Sequence, residues 1–583
     1  MAKTVGIDLG TTNSVVAYIN PQGNPEVIVS REGTRTVPSV FAITSDGNKL
    51  VGKPAVDQEG MNPENTVRSI KRDMGSYVRR FVAGQELSPE QISAEILKKL
   101  REDAEAFFGE PVENAVITVP AYFDSDQRQA TVTAGMLAGL KVLQVISEPT
   151  AAALAYGLDS KVNQTVLVYD LGGGTFDVTI LKISDDGFFD VISTRGHTSL
   201  GGDDFDQTLV EMMSKELTEE GLDVTDTAIK ARLRDAAENA KKQLSAAQSA
   251  QVNLPYLAFH NGQPFHYSKT LLRSDFETAI APLIGETKKR VEGALEDARM
   301  TFQDIDEVVF VGGSTRVPAI IKAVQEWTGK KPNLSVNPDE AVALGAAVQA
   351  SILAGESTRD VLLVDVIPLS LGVETLGGVM STMIARNTKI PVEHTENFTT
   401  AEDNQKRVDV RVFQGERPST KHNKFLGEFA VEIAPAPRGA ASLDVTFRVD
   451  ANAILSVRAT DTISGAEKEV TISGSSSLSA DEISRMITDA EANKELDEAA
   501  RELNHAHNAL RDQLLQVDEL LRVRHTLPDE VVADLHDLRA SLEDGLTCPS
   551  MTIIESLSHG AAETIKEASA IVYAKAQEFV NKE

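Results

Sequence analysis

Hydrophobic and polar positions alternate in three different ways along this 583-residue chain. From residue 1 to about residue 359, short apolar runs alternate with long helical patterns, and this mixture is typical of an α/β architecture. Two charged stretches almost free of glycine and proline, residues 228–250 and 275–300, are predicted as amphipathic helices. The predicted strands are residues 4–8, 114–119, 165–170 and 307–311.

A two-residue alternation dominates from about residue 365 to residue 473. It is clearest at residues 408–412, 429–433 and 443–449, and turns rich in Gly, Pro and Asn separate these runs. Because successive side chains of a strand point to opposite faces, such a pattern buries one face and leaves the other in water. The pattern predicts an antiparallel β domain, most simply a β-sandwich.

The third pattern is helical and begins at Leu478. Ser479 and Glu482 form an S-x-x-E capping box, and Leu478 with Ile483 supplies the apolar pair that flanks such a cap. Neither glycine nor proline follows until Pro528, so a helical stretch of roughly 50 residues could extend about 75 Å. We expect the helices after Pro528 to pack back on this stretch.

A short apolar segment lies where the first pattern gives way to the second. Residues 360–365 place four aliphatic side chains between two aspartates. The segment alone is consistent with a buried strand, and its position at a boundary is equally consistent with an apolar linker that docks and releases. The sequence leaves both interpretations open.

Composition and charge exclude several classes of protein. With 42% hydrophobic, 25% charged and 5% aromatic residues, the chain is ordinary for a globular protein. Its 57 basic and 87 acidic residues give a net charge of −30, which disfavours nucleic-acid and anionic-membrane partners. The single cysteine, Cys548, allows no internal disulfide. The first residues lack a signal-peptide pattern and no long apolar run occurs, so we expect a soluble protein of a reducing cytoplasm.

The glycine-rich segments contain an internal repeat. No GxxxxGK[ST], GxSxG or HExxH motif is present, which excludes P-loop NTPases and two common hydrolase classes. Residues 8–19, DLGTTNSVVAYI, instead match residues 170–181, DLGGGTFDVTIL, at a distance of 162 positions. Each copy follows an apolar strand, turns on glycine and small hydroxyl residues, and continues into a second strand. This repeat predicts two related lobes that face each other.

Such turns are suited to phosphate. Glycine allows the backbone to approach closely, and its N–H groups can then converge on one cluster of oxygens. Asp8 and Asp170, each at a strand end, are better placed to hold Mg²⁺ through water than to touch phosphate. A third glycine turn follows residues 308–311, where Gly312 and Gly313 would admit a flat ring and Arg316 could stack on it. A plain strand-to-helix turn is the alternative for that segment.

An ordered set of motifs carries a family resemblance. DLGTTNS, TVPAYF, EPTAAALAYG, DLGGGTFDV, GGDDFD, VGGSTRVP, NPDEAVALGAAVQ and DVLLVDV occur in this order, followed by PLSLGVETLGG and TAEDNQ. Together they resemble the seventy-kilodalton heat-shock chaperone family of the bacterial DnaK type, with a Gram-positive-like short first lobe. The resemblance covers residues 1 to about 475, and the helical end is similar in character.

The resemblance implies a domain order and a set of binding residues. Residues 1–359 would form an actin-like ATPase of two lobes, 360–366 an interdomain linker, 367–474 a β-sandwich for substrate and 475–583 a helical lid. The cofactors would be ATP or ADP with Mg²⁺, and K⁺ is left open as a second ion. The implied site residues are, for catalysis, Lys71, Glu148, Asp177 and Thr175; for phosphate, Thr11, Thr12, Gly172, Gly173, Gly174, Gly201 and Gly202; for adenosine, Glu238, Lys241, Ser245, Gly312, Gly313, Arg316 and Asp339; and for Mg²⁺, Asp8 and Asp170.

The same resemblance implies a peptide cleft and a route of coupling. The cleft would take extended apolar segments of unfolded or nascent polypeptides, and nucleotide state would control it through the linker. The residues implied for peptide are Leu371, Val373, Leu376, Phe398, Ala401, Gln405, Val408 and Val410; those for coupling are Pro120, Arg128, Val361, Leu362, Leu363 and Asp365. The alternation alone allows the apolar members to be sandwich core.

Partners follow from the resemblance as well. A J-domain co-chaperone and a GrpE-type nucleotide exchange factor are expected, whereas nucleic acid and membrane are not. The chain departs from the usual J-partner pattern at Asp124, Ser125 and Gln144. His197 and Ser199 also interrupt the usual motif before residue 200.

Two other functions remain open from the residues. A sugar or glycerol kinase could use the same paired hairpins, although it would have no use for the β and helical parts. A holdase or exchange-factor relative could bind ATP without cycling, although Lys71, Glu148 and Thr175 argue for hydrolysis. The prediction is an ATP-dependent chaperone that captures and releases clients in protein folding and stress.

Overall fold

The computed structural model describes most of the chain, and it separates into two compact units, Met1–Ile483 and Ser484–Glu583. The described residues are 3–157, 163–185, 187–260, 263–334, 336–357, 361–375, 378–400, 404–437, 442–472 and 494–580. Leu376, Ala401 and the capping box of Ser479 and Glu482 lie outside these ranges.

Strands make up most of the first unit. In chain order they are β1 Lys3–Asp8, β2 Asn13–Ile19, β3 Pro25–Val27, β4 Val37–Pro38, β5 Val40–Ile43, β6 Lys49–Val51, β7 Thr66–Arg68, β8 Arg80–Val82, β9 Gln85–Leu87, β10 Val112–Val119, β11 Lys141–Ser147, β12 Gln164–Leu171, β13 Phe176–Ile183, β14 Phe188–His197, β15 Ser249–His260, β16 Gln263–Leu272, β17 Glu307–Val311, β18 Leu362–Val364, β19 Leu371–Thr375, β20 Val379–Ile384, β21 Val392–Thr399, β22 Arg407–Gln414, β23 Lys424–Glu432, β24 Ser442–Val449, β25 Leu455–Asp461 and β26 Glu467–Ile472.

Helices lie between these strands and form the second unit. The α-helices are α1 Lys53–Gln58, α2 Pro89–Phe108, α3 Ser125–Leu137, α4 Glu148–Gly157, α5 Gly202–Glu219, α6 Thr227–Ala246, α7 Arg273–Ala298, α8 Pro318–Thr328, α9 Ala341–Leu353, α10 Lys494–Arg522, α11 Asp529–Gly545 and α12 Met551–Val580. Short 3-10 helices are Glu59–Met61, Pro63–Asn65, Ile70–Asp73, Phe302–Asp304, Gly313–Arg316, Thr420–His422 and Arg524–Thr526.

The predicted repeat is present as two sheets of similar topology. One sheet has the order β11-β10-β1-β2-β3, and the other has the order β17-β12-β13-β14-β18. In each, the repeated segment is an antiparallel hairpin, β1–β2 or β12–β13, and a parallel strand flanks it, β10 or β17. The prediction of two hairpins at strand ends is confirmed.

One predicted helix ends earlier than expected. The stretch 228–250 is helical only to Ala246, and strand β15 begins at Ser249. Ala247 is extended, and β15 pairs along its length with β16, so cross-strand hydrogen bonds replace the last helical turn. The stretch 275–300 is helical as predicted, within α7.

Small residues allow helices to lie directly on the first hairpin. A Cβ on Gly6 would lie 2.0 Å from the backbone nitrogen of Ala347 in α9. A Cβ on Gly345, also in α9, would lie 1.7 Å from the carbonyl oxygen of Ala151 in α4. Because α4 begins at Glu148, this close packing fixes that carboxylate beside the end of β1.

The β part of the first unit is the predicted antiparallel sandwich. Its sheets have the orders β20-β19-β22-β23 and β21-β24-β25-β26, with antiparallel pairing throughout these orders. Their inner faces share an apolar core that includes Val412, Phe447 and Val457, all fully buried.

The second unit is a helical bundle. Helices α10, α11 and α12 bury one apolar core between them, with Leu510, Leu535 and Ile554 at its centre. The prediction that helices after Pro528 pack on the preceding one is confirmed for the described residues. Among the described residues, no helix is long and apolar enough to cross a bilayer.

Candidate functional site

A cavity of about 420 Å³ lies where the two repeated hairpins meet. Its wall includes most residues that the sequence assigned to nucleotide and metal. They are Asp8, Thr11, Thr12, Lys71, Glu148, Asp170, Gly172, Gly173, Thr175, Glu238, Lys241, Ser245, Gly312, Gly313, Arg316 and Asp339. The cavity therefore joins, in one place, residues from segments as far apart in sequence as 8 and 339.

The two glycine turns pack against each other at one end of the cavity. A Cβ on Gly173 would lie 1.7 Å from Thr12 Oγ1, and a Cβ on Gly174 would lie 2.5 Å from Thr11 Cγ2. Thr11 and Thr175 are themselves buried. Glycine is required here because any side chain would separate the hairpins.

Gly201 and Gly202 lie behind the second turn and do not line the cavity. The N–H of Gly202 donates to Gly172 O at 2.9 Å, and the N–H of Asp203 donates to Gly173 O at 2.7 Å. A Cβ on Gly201 would lie 2.5 Å from Gly173 C. These residues therefore support the turn from behind, and their N–H groups are already used.

Asp8 and Asp170 face the cavity from the ends of β1 and β12. Burial, reinforced by Glu148, raises the pKa of Asp8 to about 7. Burial also raises the pKa of Asp170 well above its usual value, and its Oδ2 atom is buried without a hydrogen-bond partner. The partly buried Asp8 and the buried Asp170 with its unused oxygen fit a divalent cation. The described residues contain no group of three or more His, Cys, Asp or Glu that could hold a metal directly.

Lys71 and Glu148 form a buried ion pair beside these aspartates. Lys71 is only 4% exposed and Glu148 is 7% exposed. The ammonium also lies 5.9 Å from the centre of the Phe123 ring. Lys71 follows Ile70 in a 3-10 helix of the first lobe, so that its charge is directed inward rather than to the surface.

Asp177 lies on β13 and connects the site to the segment at Pro120. Its Oδ2 accepts the N–H of Ala121 at 2.9 Å, and the side chain is 2% exposed. Burial, with a smaller effect of Glu148, raises the pKa of Asp177 to about 7. The carboxylate is therefore held next to Lys71 and Glu148 by a backbone hydrogen bond, although it does not line the cavity itself.

The other end of the cavity is suited to a ring and a sugar. Lys241 Nζ donates to Asp206 Oδ2 at 2.6 Å and to Gly202 O at 3.0 Å, and Ser245 Oγ donates to Lys241 O. Arg316 is half exposed and donates to Asp339 at 2.7 Å. Its planar guanidinium is thereby fixed at the cavity rim, where a flat base could stack on it.

Several lining residues were not predicted from the sequence. They are Gly10, Asn13, Thr36, Lys242, Ser314, Val311, Val317, Pro338 and Val342. Lys242 could have been predicted from the sequence, because it lies four positions after Glu238, the spacing of an ion pair on one helix face. The two side chains are 2.6 Å apart in the structure. Thr36 lies in a loop, and no sequence pattern around it predicts a place in the cavity wall.

Within the segment 360–365, residues 361–365 are described and include a strand, as one interpretation predicted, whereas release of the segment as a linker stays a prediction. Leu362–Val364 form strand β18, which pairs in parallel with β14 on the second lobe. Val361 and Leu363 pack on the core of that lobe, and the Ile390 N–H donates to Asp365 O. The side chain of Leu362 lies outside the described part of the structure.

Arg128 lies fully buried between Asp177 and this segment. It donates to Phe123 O and Ala121 O, directly after Pro120. Burial lowers the pKa of Arg128, and the nearby carboxylates of Asp365 and Asp177 oppose this effect. One guanidinium thus faces both the site and the linker.

Asp124, Ser125 and Gln144, the three residues that depart from the usual J-partner pattern, contact the β-sandwich. Ser125 Oγ lies 3.5 Å from Ala453 O, and Gln144 Nε2 donates to Ala451 O at 3.4 Å. Asp124 accepts from Lys424 at 2.6 Å. In this arrangement the three residues lie at the boundary between the ATP-site lobes and the sandwich.

The residues predicted for peptide divide into two groups. Leu371, Val373 and Val410 are buried in the sandwich core. Phe398 and Val408 are half-buried and line a pocket of about 20 Å³, and Gln405 Nε2 donates to Arg407 O at the exposed edge. The cleft stays a prediction.

Comparison with known proteins agrees with the motifs. The family model described as Hsp70 protein matches residues 4–83 and 76–577. The chaperone protein DnaK of Thermotoga petrophila is 49% identical over 551 residues, covering 93% of this chain and 92% of its own length, and that of Thermotoga maritima has the same values. The DnaK chaperone of Cyanophora paradoxa is 48% identical over 602 residues, covering 99% and 97%. The chain belongs to the Hsp70 family.

Proposed function

We propose that this protein is an ATP-dependent molecular chaperone that hydrolyses ATP to ADP and phosphate to control its hold on unfolded polypeptides. The observation that carries the proposal is the single cavity in which both glycine hairpins, the Lys71–Glu148 pair and the adenosine residues meet. The family and the DnaK relatives support it.

The chemistry would take place at the inner end of the cavity. Thr11, Thr12 and Thr175 would donate to the phosphates, and the ammonium of Lys71 would stabilise the charge that develops on the transferred group. Asp8 and Asp170 would hold Mg²⁺ through water, which would supply charge neutralisation of the phosphates. K⁺ as a second ion stays a prediction.

The carboxylates of Glu148 and Asp177 would orient the attacking water. Because the pKa of Asp177 is about 7, this group can accept a proton from water near neutral pH. Its bond to the Ala121 N–H joins the water-orienting group to the Pro120–Arg128 segment, and Arg128 faces Asp365 of the linker. This path supports coupling between hydrolysis and the linker.

The sandwich would bind an extended apolar segment beside Phe398 and Val408, and the helical bundle would act as the lid. A buried apolar side chain of a client is worth about 1.5–3 kcal/mol before ordering costs, so binding would be moderate and a lid would slow release. J-domain and GrpE-type partners are proposed by analogy with the DnaK relatives. The family match continues through the β and helical parts, which argues against a small-molecule kinase.

The test is an ATPase assay with Mg²⁺, with and without an extended apolar peptide, using a charged peptide of equal length as control. We expect the apolar peptide alone to raise the rate several-fold. A protein that forms no ADP would refute the enzymatic assignment. Hydrolysis that ignores the apolar peptide would refute the coupling and leave a plain nucleotidase.

A further inference from the structure

A second cavity, of about 290 Å³, lies directly behind the phosphate-binding threonines. It shares Thr11, Thr12 and Glu238 with the nucleotide cavity. Its other lining residues include Ser69, Arg72, Asp203 and Arg234, which have no part in the proposed nucleotide site.

The partition between the two cavities is thin and polar. Thr12 Oγ1 donates to Asp203 Oδ1 at 3.3 Å, and Ser69 Oγ donates to Asp203 Oδ2 at 2.5 Å. These two long-range hydrogen bonds join the first lobe to the second. Thr12 and Asp203 therefore lie where the two cavities adjoin.

Three arginines line the second cavity. Arg72 Nε is buried without a hydrogen-bond partner, and a Cβ on Gly174 would lie 3.0 Å from it, so this N–H lies against the glycine turn. Arg234 is exposed on α6 and forms no ion pair among the described residues. The third arginine, Arg68, is paired with Glu59 and Asp235.

Four carboxylates also line the cavity, and each accepts at least one hydrogen bond, although Asp206 Oδ1 is buried without a partner. Asp204 accepts from Arg72 Nη2 and from the Gly201 N–H, both at 2.7 Å. Glu238 accepts from Lys242, and Asp206 from Lys241. The groups with donor capacity to spare are therefore the Arg72 N–H and the Arg234 guanidinium, and both suit an oxyanion.

We propose that the second cavity binds inorganic phosphate and is the route by which phosphate leaves while ADP still fills the cleft. The inference rests on the proposed hydrolysis, which forms phosphate beside Lys71 at the inner end. Bound ADP would occupy the path toward Arg316, whereas the path past Thr12 and Asp203 leads to unused arginine donors. The Arg72 N–H would receive phosphate first and Arg234 would receive it at the outer end.

Equilibrium binding tests the site without any turnover. Radiolabelled inorganic phosphate is titrated into the full-length chain saturated with ADP and Mg²⁺. We expect Arg234→Ala to raise the Kd for phosphate about tenfold, and Lys230→Ala, an exposed cation one turn earlier on α6, to leave it unchanged. An unchanged Kd in Arg234→Ala would place phosphate elsewhere, for example only beside Lys71, and would overturn the proposal.

The exit route for phosphate is tested by a bulky substitution that fills the second cavity. Gln207→Trp adds a bulky ring to the cavity wall, and Glu211→Trp adds the same ring one turn along α5, outside the wall. In single turnovers, ADP formation is measured by quenching and free phosphate by a fluorescent phosphate-binding probe. We expect phosphate release to lag behind ADP formation at least several-fold more in Gln207→Trp than in Glu211→Trp. Equal lags with normal ADP formation would refute the route, whereas a wild-type chain that forms no ADP would refute the proposed function instead.

Discussion

The Lys71 ammonium is paired with the Glu148 carboxylate, and 77 positions of sequence separate the two residues. Lys71 comes from a 3-10 helix of the first lobe, while Glu148 begins α4. A buried ion pair is a poor source of stability, because removing two charges from water offsets most of their attraction. The pair lines the same cavity as Asp8, Asp170 and Thr175, which is where the proposed catalytic role requires it.

Lys71→Ala should stop hydrolysis while nucleotide still binds. Removing a donor that stabilises developing charge typically lowers the rate by about 10²–10³. ADP contacts along the adenosine end do not involve Lys71, so we expect the Kd for ADP to change by less than about tenfold. Single-turnover ADP formation and fluorescent-ADP titration measure the two effects.

The matched control is Lys53→Ala, because Lys53 is an exposed lysine whose ion-pair partner in the described part of the chain is Asp57. It should hydrolyse ATP as the wild type does. Normal single-turnover hydrolysis in Lys71→Ala would show that this lysine has no role in the chemical step.

Asp177 should make the nucleotide-free protein less stable as pH rises. Its pKa is raised from 3.8 to about 7 in the folded state, chiefly by burial. Between these values the folded protein holds a proton that the unfolded chain has lost, so the free energy of unfolding decreases as pH increases through this window. Asp177→Asn keeps an acceptor for the Ala121 N–H and removes the charge.

We therefore expect Asp177→Asn to have a higher Tm than the wild type at pH 8 and a similar Tm at pH 4, by calorimetry without nucleotide or Mg²⁺. The exposed Asp46→Asn should match the wild type at both pH values. A variant that is equally stabilised at pH 4 and pH 8 would show that charge at Asp177 is not the cause.

Lys424 should hold the sandwich against the ATP-site lobes. Its ammonium lies 2.6 Å from Asp124 and 2.8 Å from Asp126, and the Val145 N–H donates to Asn452 across the same boundary. For a partly exposed pair we expect Lys424→Ala to cost about 1 kcal/mol, roughly a fivefold change in an equilibrium.

Hydrogen exchange measures this loss of stability. The amides of Val145 and Leu363 should exchange several-fold faster in Lys424→Ala than in the wild type. The exposed Lys421→Ala, three positions earlier, should leave both amides protected. Unchanged exchange in both variants would show that Lys424 does not stabilise the docked arrangement.

Val408 should take part in peptide binding. It is half-buried on β22 beside the small pocket that Phe398 also lines. Since a buried apolar contact is worth about 1.5–3 kcal/mol, Val408→Asp should weaken binding of an apolar peptide at least about tenfold. Fluorescence anisotropy of a labelled peptide measures this affinity.

Asp409→Ala is the control, because Asp409 is exposed and neighbouring positions of a strand face opposite ways. Its peptide affinity should equal that of the wild type. If Val408→Asp binds peptide normally while its thermal unfolding is unchanged, the cleft lies on another part of the sandwich.

The sequence by itself determined the strands, the turns and the ligand class. Alternation predicted the sandwich, and the two DLG turns predicted paired hairpins with Asp8 and Asp170 at strand ends, because glycine turns and strand alternation depend on neighbouring residues. The family resemblance supplied the adenosine residues, and the family is confirmed.

Only the tertiary structure decided which groups face the cleft. It directed Lys71 inward to Glu148, used the Gly202 N–H to support the Gly172 carbonyl, and placed Ser125 and Gln144 against the sandwich. Each of these contacts joins residues between 30 and several hundred positions apart, and the direction of a side chain or an N–H depends on what packs against it. Local sequence fixes the shape of a turn, whereas its orientation toward a ligand is set by distant partners.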